Sequence, residues 1–140
     1  MAVSPLDFLQ QAKQLANNAV ADVDYRNAVG RAYYAAFHAA NVFHSWLPQP
    51  GRLPAQTTGL HDQLFHRLIN PTIPAADSRH RVSRIVGYKT RDFHRIRVQA
   101  DYDLNQEMKI EDAINAISRA EEIVRIIDTE MQIHGDSLSG

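Results

Sequence analysis

Residues 30–41 read GRAYYAAFHAAN, and wound on a helix this stretch has two chemically different sides. At 100° per residue, Tyr25, Val29, Ala32, Tyr33, Ala36, Ala40 and Phe43 share one apolar face. Asn27, Arg31, Tyr34, His38, Asn41 and Ser45 form a second stripe opposite it. Arg31 and His38 are seven residues apart, so they stand two turns from each other and nearly in line. Alanines at 32, 35, 36, 39 and 40 let neighbouring backbones approach closely. Tyrosine and histidine suit a partly wet interface better than open water, where glutamate and lysine are usual. The spacing therefore predicts a helix over 23–46, packed on one face. Its polar face is either a solvated surface or one built to meet something.

Prolines punctuate the rest of the chain. They stand at Pro5, in a cluster at 48, 50 and 54, and at 71 and 74, and the segments between are proline-free, as long helices require. Ser4-Pro5 reads as an N-cap followed by proline in the first turn, with Asp7 behind it, so a first helix is expected over 5–18. A short helix is expected over 59–69. Another is expected over 79–100, facing Val82, Ile85, Val86, Phe93, Ile96 and Ala100 inward. Gly87 inside it costs about 1 kcal/mol relative to alanine and predicts a kink or break there. A last helix repeats Ile110, Ile114, Ile117, Val124, Ile127 and Met131 at three- and four-residue steps. No segment alternates with the two-residue period of a strand. The expected fold is all-α: one domain over 1–140, an up-and-down four-helix bundle with an additional short helix. The tail, residues 135–140, is expected to fray.

Composition narrows the function classes. The chain has 140 residues, 44% hydrophobic and 22% charged, which suits an ordinary globular domain. Without cysteine there is no disulfide, thiolate zinc site or cysteine nucleophile. No apolar run reaches the roughly 20 residues of a membrane span, and the start has no basic and apolar leader pattern. No membrane association is expected, and by elimination a cytoplasmic location. His38 and His44, like His61 and His66, diverge around their helices, and no Glu-x-x-His or His-Glu-x-x-His occurs. No metal and no cofactor is implied.

The net charge of −1 is unevenly spread. Residues 79–97 carry seven arginines and lysines against the single Asp92, a net of +6. From Asp101 onward ten acids face Lys109, Arg119 and Arg125, a net of −7. Such asymmetry marks either a nucleic-acid contact or a basic helix paired with an acidic one, within the fold or across a dimer.

Two motifs carry a family resemblance. GRAYYAAFHAANVF resembles the signature helix of small stand-alone HEPN domain proteins, which have an Arg-Ala-Tyr-Tyr-x-x-Phe-His run at this place. Some 60 residues later, FHRIRVQADYDL resembles that group's Leu-x-x-Arg-x-x-Ala-Asp-Tyr segment. The likeness spans about residues 24–127. It implies a helical bundle, commonly a homodimer with a polar cleft at the two-fold axis, and RNA as ligand. Many such domains are metal-independent endoribonucleases in which a histidine moves the proton of a ribose 2′-OH and an arginine stabilises charge on the phosphoryl oxygens.

Carried onto this chain, the resemblance names Arg97, His38, Tyr102 and Asp101 as catalytic candidates. Arg31, Tyr34, Arg91, His94 and Arg95 are the RNA-binding candidates, with His94 and Arg91 in reserve for catalysis. Tyr102 stands where the ribonuclease pattern has histidine, and a hydroxyl with a pKa near 10 is a poor base at pH 7. Some HEPN toxins paired with a nucleotidyltransferase antitoxin also carry tyrosine there, as the target of nucleotide transfer. The alternative function is a non-catalytic dimeric interaction or nucleotide-binding module. For His38 the alternative is a structural histidine bonded to Asp101 or Tyr102.

Overall fold

The computed structural model describes residues 3–139, and among them every regular element is helical. The elements are α1 (Pro5–Asn17), α2 (Asp22–Trp46), α3 (Leu60–Ile69), α4 (Ser78–Tyr102) and α5 (Ile110–Ile133). This is compatible with a bundle of four main helices and a shorter one. Among the described residues no helix is long and apolar enough to cross a membrane.

Carboxylates fix where the helices begin. The Ser4 N–H donates to Asp7 at 2.8 Å, Val20 and Ala21 N–H groups to Asp24, and Lys109 N–H to Asp112 at 2.9 Å. Asp77 caps α4 by accepting the Arg79 N–H at 3.0 Å. These contacts satisfy amides at, and for Val20 just before, the first turns, where no intrahelical partner exists.

Helix α2 touches all four others. Val29, Ala32, Tyr33, Ala36, Ala40 and Phe43 of its expected apolar face are buried, and so are Ala28, Ala35 and Ala39 on its flanks. The alanines make this burial on several sides possible.

Three local expectations meet a different outcome. Helix α4 runs unbroken through Gly87. A Cβ there would lie 2.8 Å from Ile69 Cγ1 and 2.9 Å from Leu68 Cβ, so the glycine admits α3 against the α4 backbone. The Ser83 hydroxyl bonds the Leu68 carbonyl at 2.7 Å across the same crossing. In α5, Ile110 and Ile114 are 45% and 52% exposed, and the buried line runs instead through Ala113, Ala116 and Ala120 to Ile123 and Ile127. At that end α1, α2 and α5 meet through Ala16, Ala28 and Ala113, a separation that suits alanine rather than isoleucine. Residues 135–139 lie against the bundle: Leu138 is buried, its N–H bonds Asp128 at 2.8 Å, and Asp136 accepts the Trp46 indole N–H at 2.8 Å. Gly140 lies outside the described residues.

Candidate functional site

The polar stripe of α2 faces a crevice beside α1 and the end of α4. Phe8 of α1 stacks on His38 at 4.9 Å and meets Tyr34 at 6.4 Å, dividing this crevice into two depressions. One, of about 350 Å³, is lined by Gln11, Asn27, Gly30, Arg31, Tyr34, Arg97 and Asp101, with Leu15 and Arg26. The other, of about 600 Å³, lies beside His38, Asn41, Val42 and Ser45.

Tyr34 joins the two motif helices. The Arg97 guanidinium lies 5.4 Å from the centre of its ring, and Nη2 donates to its hydroxyl at 3.4 Å. Arg97 Nε also forms an ion pair with Asp101 Oδ2 at 2.8 Å, though the N–H axis is not aligned for a hydrogen bond. His38 lies on the other side of Tyr34, with ring centres 6.0 Å apart. Arg97 and His38 thus share Tyr34 as a neighbour but line separate depressions. His38 is held by aromatic stacking, and it makes no hydrogen bond to Asp101 or Tyr102 among the described residues.

Behind Tyr34 lies a cluster that no local pattern announced. His61 of α3 and His94 of α4 stack at 5.0 Å, and His61 Nδ1 is 2.6 Å from the Tyr33 hydroxyl. Tyr33 is fully buried, and burial pushes its pKa far above the ordinary tyrosine value. Its hydroxyl has no other hydrogen-bond partner among the described residues, so its proton is satisfied by donation to Nδ1. Neutral His61 then carries its own proton on Nε2.

Burial also lowers the pKa of His38, His61 and His94. At His61 the neighbouring His94 and Arg97 charges add to the effect; at His94, Asp62 opposes it and Arg97 adds to it. The imidazoles beside Arg97 are therefore biased toward the neutral, proton-accepting form.

Of the remaining candidates only Arg31 lines the Tyr34 depression; Tyr102, Arg91 and Arg95 do not. Tyr102 is 73% exposed. Arg31 is exposed at the rim of the smaller depression. Arg95 pairs loosely with Asp92 at 3.6 Å, and the Arg91 guanidinium lies over Tyr88 at 5.0 Å. Lys89–Glu122, at 2.7 Å, is the single ion pair between α4 and α5 among the described residues. Four of the seven cations of residues 79–97 thus pair within the fold, and among the described residues Arg81, Arg84 and Arg91 pair with no carboxylate.

Arg26, which lines the same depression, is already engaged. Its guanidinium donates to the carbonyls of Ala100 at 2.7 Å and Asp103 at 3.0 Å, and to that of Gln106, while Nε binds Asp22 at 2.6 Å. It ties the end of α4 and the following loop to α2, which places Arg97 against Tyr34.

Gly30 has the opposite character. A Cβ there would meet nothing within 4 Å, so no packing contact in this chain requires glycine in mid-helix.

Among the described residues no group of three or more His, Asp or Glu side chains is arranged to hold a metal ion. No protein-family model matches the chain, nor does any curated protein or solved structure.

Proposed function

We propose that this chain is a HEPN-type RNA-binding protein whose Tyr34–Arg97 depression cleaves phosphodiester bonds without a metal ion. The observation that carries the reading is the placement of Arg97 at the cavity rim, on Tyr34, beside imidazoles biased toward neutrality. An arginine fork matches two phosphoryl oxygens, and a neutral imidazole is competent to accept a proton at pH 7.

In this mechanism His94, which lies behind Tyr34 and outside the lining of the depression, takes the proton from a ribose 2′-OH that has passed the Tyr34 ring, and the 2′-oxygen attacks the adjacent phosphorus. Arg97 stabilises the charge that builds on the phosphoryl oxygens. The bond to the 5′-oxygen breaks, and the imidazolium returns the proton to that departing oxygen. The products are a 2′,3′-cyclic phosphate and a free 5′-hydroxyl. His61, held through Tyr33, orients His94 by stacking. His38 is the second candidate base, reached from the other side of Tyr34. Tyr102 has no part in this step.

The resemblance also supplies the expectation of a homodimer and of a nucleotidyltransferase antitoxin as partner. For such a partner Tyr102, exposed at the end of α4, is the accessible hydroxyl. A non-catalytic nucleotide-binding module is the second reading. It is favoured by Tyr102, which stands where the ribonuclease pattern has a histidine after the arginine.

The test is cleavage of RNA oligonucleotides in the presence of EDTA. Arg97→Ala should lower the rate about 10²–10³-fold. His94→Gln should lower it about 10²–10⁴-fold and remove the acidic limb of the pH–rate profile. A rate abolished by EDTA, or unchanged in both variants, overturns the mechanism. Binding without cleavage selects the second reading.

A further inference from the structure

We propose that the outward face of α4 is a binding track for single-stranded nucleic acid, separate from the depression at Tyr34. The proposal rests on the RNA reading for the kind of ligand, and on α4 alone for the place. Arg81, Arg84, Tyr88, Arg91 and Arg95 follow at steps of three and four residues and Tyr102 lies seven further on, so all six fall within an arc of about 100°. The stretch from Arg81 to Arg95 is about 21 Å long at 1.5 Å per residue.

Three observations favour this ligand. Among the described residues Arg81, Arg84 and Arg91 pair with no carboxylate, so their charge is uncompensated. The one opposing group on the face, Asp92, is held at 3.6 Å by Arg95, whose side chain is 72% exposed. Tyr88 and Tyr102 expose aromatic surface between and beyond the arginines, and Arg91 braces the Tyr88 ring at 5.0 Å. Beside Tyr88 a shallow apolar depression of about 470 Å³ runs along Ile85, between Arg81, Arg84 and Lys89. Arginines that track phosphates, alternating with rings on which bases stack, are what a flexible single strand requires. A duplex fits poorly. In a duplex the base faces are already stacked on one another, so the exposed tyrosine rings would have nothing to stack on.

The experiment is fluorescence anisotropy with a labelled oligouridylate of about twelve nucleotides, titrated between about 50 and 200 mM salt. Arg84→Ala combined with Arg95→Ala should weaken binding and flatten the slope of log K against log salt by about 1.4. Tyr88→Ala should weaken binding about tenfold, while Tyr88→Phe keeps wild-type affinity, because stacking needs the ring and not the hydroxyl. These positions are exposed, and circular dichroism checks that the variants are folded. Wild-type affinity and slope in the double arginine variant overturn the proposal. So does tighter binding to a duplex of the same length, or displacement of the oligonucleotide by an equal concentration of polyglutamate. Cleavage separates the two readings: with no cleavage by any form but stripe-dependent binding intact, the catalytic reading fails and the track stands, whereas Arg97-dependent cleavage with binding unchanged in the double arginine variant leaves the catalytic reading and overturns the track.

Discussion

At the scale of single residues, Arg26 gathers three backbone acceptors from far along the chain. Its acceptors lie 74 to 80 residues away, on the end of α4 and the loop behind it. Removing the side chain leaves buried carbonyls without donors, so Arg26→Ala should destabilise the fold by about 3 kcal/mol in urea unfolding. Arg26→Lys should recover little of this, because one ammonium cannot reach acceptors spread around a planar fork. Arg97 should also lose its hold on Tyr34, so any activity would fall further than stability alone explains. No pattern around residue 26 announces this role, because its partners come from a distant turn. His61 was illegible for a related reason. Its neighbours Tyr33 and His94 sit on other helices, and its own segment gives no hint of which face meets them. By contrast Tyr34, Arg97 and Asp101 were readable, because each sits inside a motif with a fixed helical register.

At the scale of elements, legibility followed how local the deciding physics is. Prolines and acidic residues in the first turns bound the helices, and they act within four residues of themselves. Which face of α5 packs inward depends on how near the neighbouring helices come. Ala16 and Ala28 bring them close, so alanines replace the isoleucines that hydropathy alone selects. Gly87 gives the same lesson. Helix propensity favours alanine there by about 1 kcal/mol, but the Cβ would press into Leu68 and Ile69. Overpacking at such a contact costs about 1–3 kcal/mol. Gly87→Ala should therefore lower the unfolding midpoint, by a net loss of about 1 kcal/mol. Higher stability in that variant would show that α3 moves aside freely.

At the scale of the whole molecule, four histidines set the response to acid. Burial lowers the pKa of His38, His44, His61 and His94 from the ordinary value of 6.5. A group whose folded pKa is depressed leaves the unfolded chain to take up protons first. Stability should then be level above about pH 7 and fall as pH drops below about 6.5, until the folded-state values are passed. Denaturant midpoints measured from pH 8 to pH 5 check this. Replacing His61 and His94 together with glutamine should reduce the slope. A stability that stays level through that interval would mean these imidazoles are as well solvated in the fold as in the unfolded chain.

Gly30 leaves an unoccupied volume at the floor of the Tyr34 depression, although α2 would be better served by alanine. Gly30→Ala should raise stability by about 1 kcal/mol, because it gains helix propensity without a clash. A library sorted by heat resistance alone should therefore drift to alanine at this position. Sorted for ligand capture, the same library should drift back to glycine. The position at which those two selections disagree marks where another molecule touches the backbone of this one.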